Sequence, residues 1–291
     1  MSNKLNLKND IVFKAFFSKK GNEKYLKEFL EALLKIHIEE IEVRSEVSLL
    51  KLDEKEKGGK LDIEAKLNTG IINIEMQVNN LKNIEKRTAY YASKIMAREV
   101  GIREKYENIK PVIMVNILDY ELFGFKEYVS KTEIVLKEHK DYEVIKDLQW
   151  YFIELPKFRM SNPDMEDKLN QWLALIDNED RGMIKMAEEK NKTIKEAKKE
   201  VEYLTGEEEI KRLAELREKW AMDRRSEISD AREEGIEEGR KEGRKEGKEE
   251  GKKEEKLAIA KNMLNKGKSE EDILDFTGIS KEELEKLKEA I

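Results

Sequence analysis

The stretch Lys60–Asn80, KLDIEAKLNTGIINIEMQVNN, alternates apolar and polar residues so strictly that it constrains the fold more than any other part of the chain. Successive side chains of a strand point to opposite sides, so this pattern reads as a β-hairpin with two sorted faces. The first arm sets Leu61, Ile63, Ala65 and Leu67 on one side, and Lys60, Asp62, Glu64 and Lys66 on the other. The second arm sets Ile72, Ile74, Met76 and Val78 against Asn73, Glu75, Gln77 and Asn79. Between them stands Asn68-Thr69-Gly70, and a glycine there suits a tight turn that needs positive φ. A two-residue turn at Thr69-Gly70 predicts the apolar pairs Leu61–Val78, Ile63–Met76, Ala65–Ile74 and Leu67–Ile72. The polar pairs are then Asp62–Gln77, Glu64–Glu75 and Lys66–Asn73. A one-residue slip would bury the charges, so only registers of this parity keep the faces sorted. Three carboxylates and an amide thus crowd one patch of sheet, where repulsion is costly unless water or a cation relieves it.

At 291 residues the chain can hold one or two domains with a real core. Charged residues make up 42% of it and only three prolines occur, so much of the length must be exposed helix. The absence of cysteine removes disulfides and thiolate metal sites and fits a reducing cytoplasm. The N-terminus has no apolar signal core, and no apolar run is long enough for a bilayer, so the expectation is a cytoplasmic protein with no membrane partner. Two histidines, His37 and His139, lie in different predicted elements, which argues against chemistry built on paired histidines or a Ser/His triad. Any reaction has to use carboxylates, amides and lysines. The net charge of −6 is uneven: residues 1–160 carry 29 Lys+Arg against 27 Asp+Glu, residues 161–291 carry 29 against 37. Local patches rather than the total govern phosphate contacts.

Asn9 or Asp10 is placed to cap a helix bearing Ile11, Phe13, Phe16 and Phe17, and Tyr25–Leu34 resumes helical spacing after Gly21-Asn22. Ile41–Leu52 reads as a strand, followed by a charged loop and the hairpin. Residues 82–99 place Ile84, Thr88, Tyr91, Ile95 and Met96 at helical spacing among Lys86, Arg87, Lys94 and Arg98. Val112–Leu118 is a nearly continuous apolar run, as in a strand buried on both faces. Glu133–Lys137 and Trp150–Leu155 are further strands. This order predicts a mixed α/β core over residues 1–160, a helical region over 161–233 with a break at Gly206, a glycine repeat over 234–256 and a small helical module over 257–291. In that module Ser269 with Asp272, and Ser280 with Glu283, fit capping boxes.

The repeat places Gly235, Gly239, Gly243, Gly247 and Gly251 four apart. In a helix such glycines form a slowly drifting stripe. Glu238, Glu242, Glu246 and Glu250 precede the later glycines, and Arg240, Arg244, Lys248 and Lys252 follow them, so acidic and basic stripes flank the glycines on opposite sides. Two parallel copies would set acid against base on both flanks, which predicts a homodimer stalk. A charge-balanced flexible linker is the competing expectation, because each glycine costs a helix about 1 kcal/mol.

Metal-dependent phosphodiester cleavage needs oxygen donors fixed around Mg²⁺. Asp62 and Glu75 on adjacent strands provide two, Gln77 projects from the same face as Glu75, and the Met76 carbonyl lies between. This Asp62…Glu75-Met76-Gln77 set resembles the PD-(D/E)XK nuclease signature in its D…ExQ form, typical of the recombination-promoting nuclease and transposase family. LKNDIVFKAFF (Leu7–Phe17), KRTAYYASK (Lys86–Lys94), IELPKF (Ile153–Phe158), the glycine ladder and the ending also resemble that family, so the likeness covers nearly the whole chain.

The resemblance implies a restriction-endonuclease-like α/β core followed by a helical, charged C-terminal extension, Mg²⁺-dependent DNA endonuclease activity (Mn²⁺ substituting) and a link to DNA recombination or transposition. It implies that Asp62 and Glu75 bind metal and that Gln77 stands where the signature usually has lysine. An amide orients water or phosphate but brings no charge, so either a second cation or a displaced lysine has to compensate, and Lys60 and Lys66 are the nearest lysines in sequence. Asp10 is a further carboxylate that also suits an N-cap, and Arg87 and Tyr91 are candidates for the DNA backbone, with Tyr91 better suited to the core. The alternative function is a catalytically weak DNA-associated or scaffolding protein that dimerises through its C-terminal helices. A three-carboxylate RNase H-like transposase fits less well, because the acidic set lies on one hairpin.

Overall fold

A computed structural model describes residues 5–47, 61–80, 82–99 and 105–289. Lys60 and the segment 48–59 of the expected strand and loop lie outside the described residues. The chain divides into two compact units, Met1–Glu218 and Lys219–Ile291.

The first unit opens with α1 (Asp10–Ser18), whose N-cap Asn9 accepts from the Ile11 and Val12 amides. Of the two capping candidates, Asn9 therefore fills the role, satisfying donors that a helix start leaves open. α2 (Glu23–Leu34) follows, then β1 (Glu42–Ser45), β2 (Ile63–Leu67), β3 (Gly70–Gln77), α3 (Ile84–Glu99), β4 (Val112–Leu118), β5 (Val129–Val135) and β6 (Glu143–Glu154). The six strands form one mixed sheet in the order β1-β2-β3-β4-β6-β5. β3, β4 and β6 run parallel, and the outer pairs are antiparallel. α3 is the crossover between β3 and β4.

One face of the sheet presents Ile63, Ala65, Ile72 and Ile74 to a core built with Phe13, Phe16 and Phe17 of α1 and Leu26 and Phe29 of α2. The helical region after residue 160 packs onto that same core. α4 (Leu155–Met160) leads to α5 (Lys168–Asp177), α6 (Arg181–Lys190) and α7 (Lys192–Leu204), which add Trp172, Ala187, Ile194 and Ala197. Trp172 is fully buried, with the rings of Tyr25, Phe29 and Phe17 within 6.5 Å. The opposite face carries Ile71, Val112 and Met114, with Leu61 beside them, under Ala92 and Ile95 of α3.

Two expectations about the hairpin are corrected. The register pairs Ile63 with Ile74, Ala65 with Ile72 and Leu67 with Gly70, so the two-residue turn is Asn68-Thr69 and the pairing is shifted by two from that expected. The parity holds within β2 and β3 and their sorting survives there, but Leu61, expected on the side of Ile63, packs instead with Ile71 under α3. Gly70 opens β3 instead of occupying the turn, and it has no positive φ. It is glycine for space: a Cβ there would lie 2.8 Å from the Pro111 carbonyl oxygen. The polar face of the hairpin lies against a helix. α3 covers it, so Glu64, Asn73 and Glu75 are buried.

α8 (Glu208–Asn265) starts after a break around Gly206, where the chain turns between Leu204 and Glu208. The repeat glycines 235–251 lie within this helix, and a Cβ added at any of them meets nothing within 4 Å. The second unit contains α9 (Glu270–Thr277) and α10 (Lys281–Glu289), whose core with the end of α8 is Ala260, Ile273, Ile279 and Leu284. One capping box forms in full, with Ser280 and Glu283 bonding reciprocally; at the other, Ser269 accepts from the Asp272 amide, but the Asp272 carboxylate takes the Ser269 hydroxyl instead of its amide. Gly278, at φ 62, terminates α9 in the left-handed region. Among the described residues no helix is long and apolar enough to cross a membrane.

Candidate active site

Asp62 stands immediately before β2 and Glu75 lies near the end of β3, directly across the antiparallel pair. The Asp62 amide donates to Glu75 Oε1 at 3.2 Å, and the Met76 amide donates to Asp62 Oδ2 at 3.3 Å. Both carboxylates are therefore fixed by each other's strand. In an extended strand the N–H and C=O of one residue share an edge, so the Met76 carbonyl faces the same gap as its amide. Asn73 Nδ2 donates to Glu75 Oε1 at 3.0 Å, Gln77 Nε2 reaches Glu75 Oε2 at 3.4 Å, and Arg87 Nη2 lies 3.5 Å from that same oxygen.

Burial pushes the Glu75 carboxyl up to about 7, and the neighbouring Asp62 charge adds to it, while Asn73 and Arg87 pull the other way. Two carboxylates are thus held close enough to repel, where one is reluctant to ionise. This donor set fits a small hard cation, which would relieve that repulsion. Among the described residues no group of three or more Asp, Glu or His side chains could hold a metal ion. A cation between Asp62 and Glu75 would thus complete its shell with the Met76 carbonyl and water, as Mg²⁺ ordinarily does with few protein ligands.

Several sequence candidates lie elsewhere. Glu64 is on the expected face but is taken by Arg98, 2.6 Å away from it. Lys66 pairs with Glu99 at 3.9 Å toward the turn end of the hairpin. It is four residues beyond Asp62, ~13 Å along a strand. Arg87 lies over the Tyr91 ring at 5.6 Å, and Tyr91 packs beside Ala92 and Ile95. Asp10 is 3.8 Å from Lys14. His37 and His139 are both exposed and play no part in this cluster.

The sequence reading missed Lys14 and Asn73. Lys14 Nζ stands 2.8 Å from Asp62 Oδ1, with Asp10 and Glu46 each within 4 Å. Burial works against its charge, but Asp62 with Asp10 and Glu46 outweighs it, leaving the Lys14 pKa raised. A signal was present: Lys14 is the single charged residue in the run IVFKAFF (Ile11–Phe17). Asp10 is one turn away on the same helix, but Glu46 and Asp62 come from distant segments, which no local pattern reveals.

Two family matches account for most of the chain. Residues 7–231 match the PD-(D/E)XK nuclease family transposase, and residues 253–289 match the C-terminal HTH domain of the Rpn/YhgA-like nuclease family. The sequence reading found the helices of that second segment but not the helix-turn-helix they form. No curated protein and no solved structure matches the chain. With the Asp62…Glu75-Met76-Gln77 hairpin inside the matched segment, the chain belongs to the PD-(D/E)XK nuclease family of transposases and carries the C-terminal HTH domain of the Rpn/YhgA-like nucleases.

Proposed function

We propose that the protein is a Mg²⁺-dependent DNA endonuclease acting in DNA recombination or transposition. The observation that carries this reading is that the Asp62 amide holds the Glu75 carboxylate while the Met76 amide holds that of Asp62, beside Gln77 and Arg87, in the hairpin that bears the D…ExQ pattern. Asp62, Glu75 and the Met76 carbonyl would hold Mg²⁺ or Mn²⁺. When bound, the cation supplies Lewis-acid polarisation of the phosphate and lowers the pKa of water. Asn73 and the Asp62 amide keep Glu75 in one rotamer, so the carboxylate needs no reorganisation when it ligates. Gln77 orients water or a phosphate oxygen by hydrogen bonding, and Arg87, 30% exposed, is available to the DNA backbone. The reaction is attack of water on phosphorus with departure of a sugar oxygen.

DNA as partner is supported also by the HTH domain. Homodimerisation is supported by the glycine stripe. Its glycines weaken α8 without relieving any contact in a single chain, so close approach of a second helix is the reason they suit. A scaffolding reading has its own support, because Lys14 already neutralises Asp62 and Gln77 brings no charge.

The test is nicking of supercoiled plasmid by the purified full chain with Mg²⁺ or Mn²⁺. Asp62→Ala and Glu75→Ala proteins, folded by circular dichroism, should lose the activity. A wild type inert with both metals leaves the scaffolding reading.

A further inference from the structure

We infer that Lys14 supplies the positive charge that the nuclease signature ordinarily places at the position of Gln77, reaching the carboxylate pair from α1 instead of from β3. This rests on the nuclease reading above.

The geometry is specific. Asp62 uses Oδ2 for the Met76 amide and turns Oδ1 to Lys14 Nζ at 2.8 Å. The ammonium therefore takes the Asp62 oxygen that the Met76 amide does not. Neither of the lysines nearest in sequence is an equivalent among the described residues: Lys66 pairs with Glu99, and Lys60 lies outside them. Arg87 approaches the pair at Glu75, the partner of Asp62.

Lys14 is also held unusually firmly for a lysine. Its side chain is 13% exposed. Its helix begins at a formed Asn9 cap and is anchored by Phe13, Phe16 and Phe17, all fully buried. Asp10 at 3.8 Å and Glu46 at 3.9 Å flank the ammonium. Glu46 has φ 57, sparsely populated for a glutamate, while its amide donates to the Asp62 carbonyl at 3.1 Å. A backbone conformation that costs energy is kept where it sets a carboxylate beside Lys14 and ties its own segment to Asp62. A fixed ammonium in an acidic surround is the preorganised charge that stabilises a phosphoryl group gaining negative charge. A neutral amide at position 77 cannot do this.

Lys14→Met keeps the apolar stem without the charge, and Lys14→Arg keeps the charge. The full-length proteins are compared for plasmid cleavage at saturating Mn²⁺, and for Mn²⁺ binding without DNA by calorimetry. Lys14→Met should lose about a hundredfold in cleavage, Lys14→Arg should recover most of that loss, and Lys66→Ala should lose less than Lys14→Met. Mn²⁺ should bind Lys14→Met at least as tightly as wild type, because an ammonium no longer competes for Asp62. A cleavage loss under about tenfold overturns the inference, as does weakened Mn²⁺ binding that excess metal rescues. In both cases the wild type still cuts, so the nuclease reading stands. A wild type that neither cuts nor binds Mn²⁺ overturns the two together.

Discussion

Asp62 donates its amide to the carboxylate of Glu75, while its own carboxylate accepts from Met76, the residue after Glu75. The two acids are locked by reciprocal backbone bonds across an antiparallel pair, so neither can leave without disturbing the other's strand. Glu75 holds its proton up to about pH 7, and a cation must displace that proton to bind both. Mn²⁺ affinity should therefore climb between pH 6 and pH 8 by roughly tenfold and level off above, as read by calorimetry.

The same burial makes a stability prediction. An unfolded glutamate ionises near 4.5 and the folded Glu75 near 7. The folded state thus binds the proton more tightly, and its advantage is present at low pH and lost as pH rises through about 7. Glu75→Gln keeps the acceptor for Asn73 and the Asp62 amide but removes the buried charge. Its melting temperature should exceed that of wild type at pH 8, with the gap closing toward pH 5.

Glu64 and Arg98 make a pair of a different kind. Glu64 is 2% exposed and its partner lies 2.6 Å away. Arg98→Ala would strand a buried carboxylate, which costs about 3 kcal/mol. Urea unfolding should record that loss, and Glu64→Gln introduced alongside Arg98→Ala should restore much of it.

The parity of the hairpin was legible because burying one face punishes a one-residue slip. The register was not, because two registers of equal parity sort the same side chains, and what separates them is remote. Gly70 packs against the Pro111 carbonyl forty-one residues away, so its reason is tertiary and only its identity is visible locally. The same applies to Lys14. Its spacing within α1 follows from the sequence, while its meeting with Asp62 depends on how α1 docks under the sheet. The Asp62 and Glu75 pairing was closer to the surface of the sequence, since both lie on one hairpin. Gly70→Ala tests the remote contact directly. A methyl 2.8 Å from a backbone oxygen must shift β3 or the segment before β4, at about 2 kcal/mol in urea unfolding.

The glycine stripe of α8 offers a test in which stability and assembly move in opposite directions. In the single chain a Cβ at Gly239, Gly243 or Gly247 meets nothing within 4 Å. Replacing all three by alanine should therefore make the helix more stable, by about 1 kcal/mol for each. If a second copy packs against the stripe, the same methyl groups hold the two backbones apart. The triple variant should then gain helicity by circular dichroism and yet lose dimer by light scattering, relative to the full chain. Parallel packing adds a charge rule, since Glu242 and Glu246 would face Arg240, Arg244 or Lys248 of the other copy. Reversing the basic stripe alone should weaken the dimer, and reversing both stripes together should restore it. A wild type of monomer mass, or a triple variant that dimerises as wild type does, removes the stalk and leaves α8 as a charged helical connection.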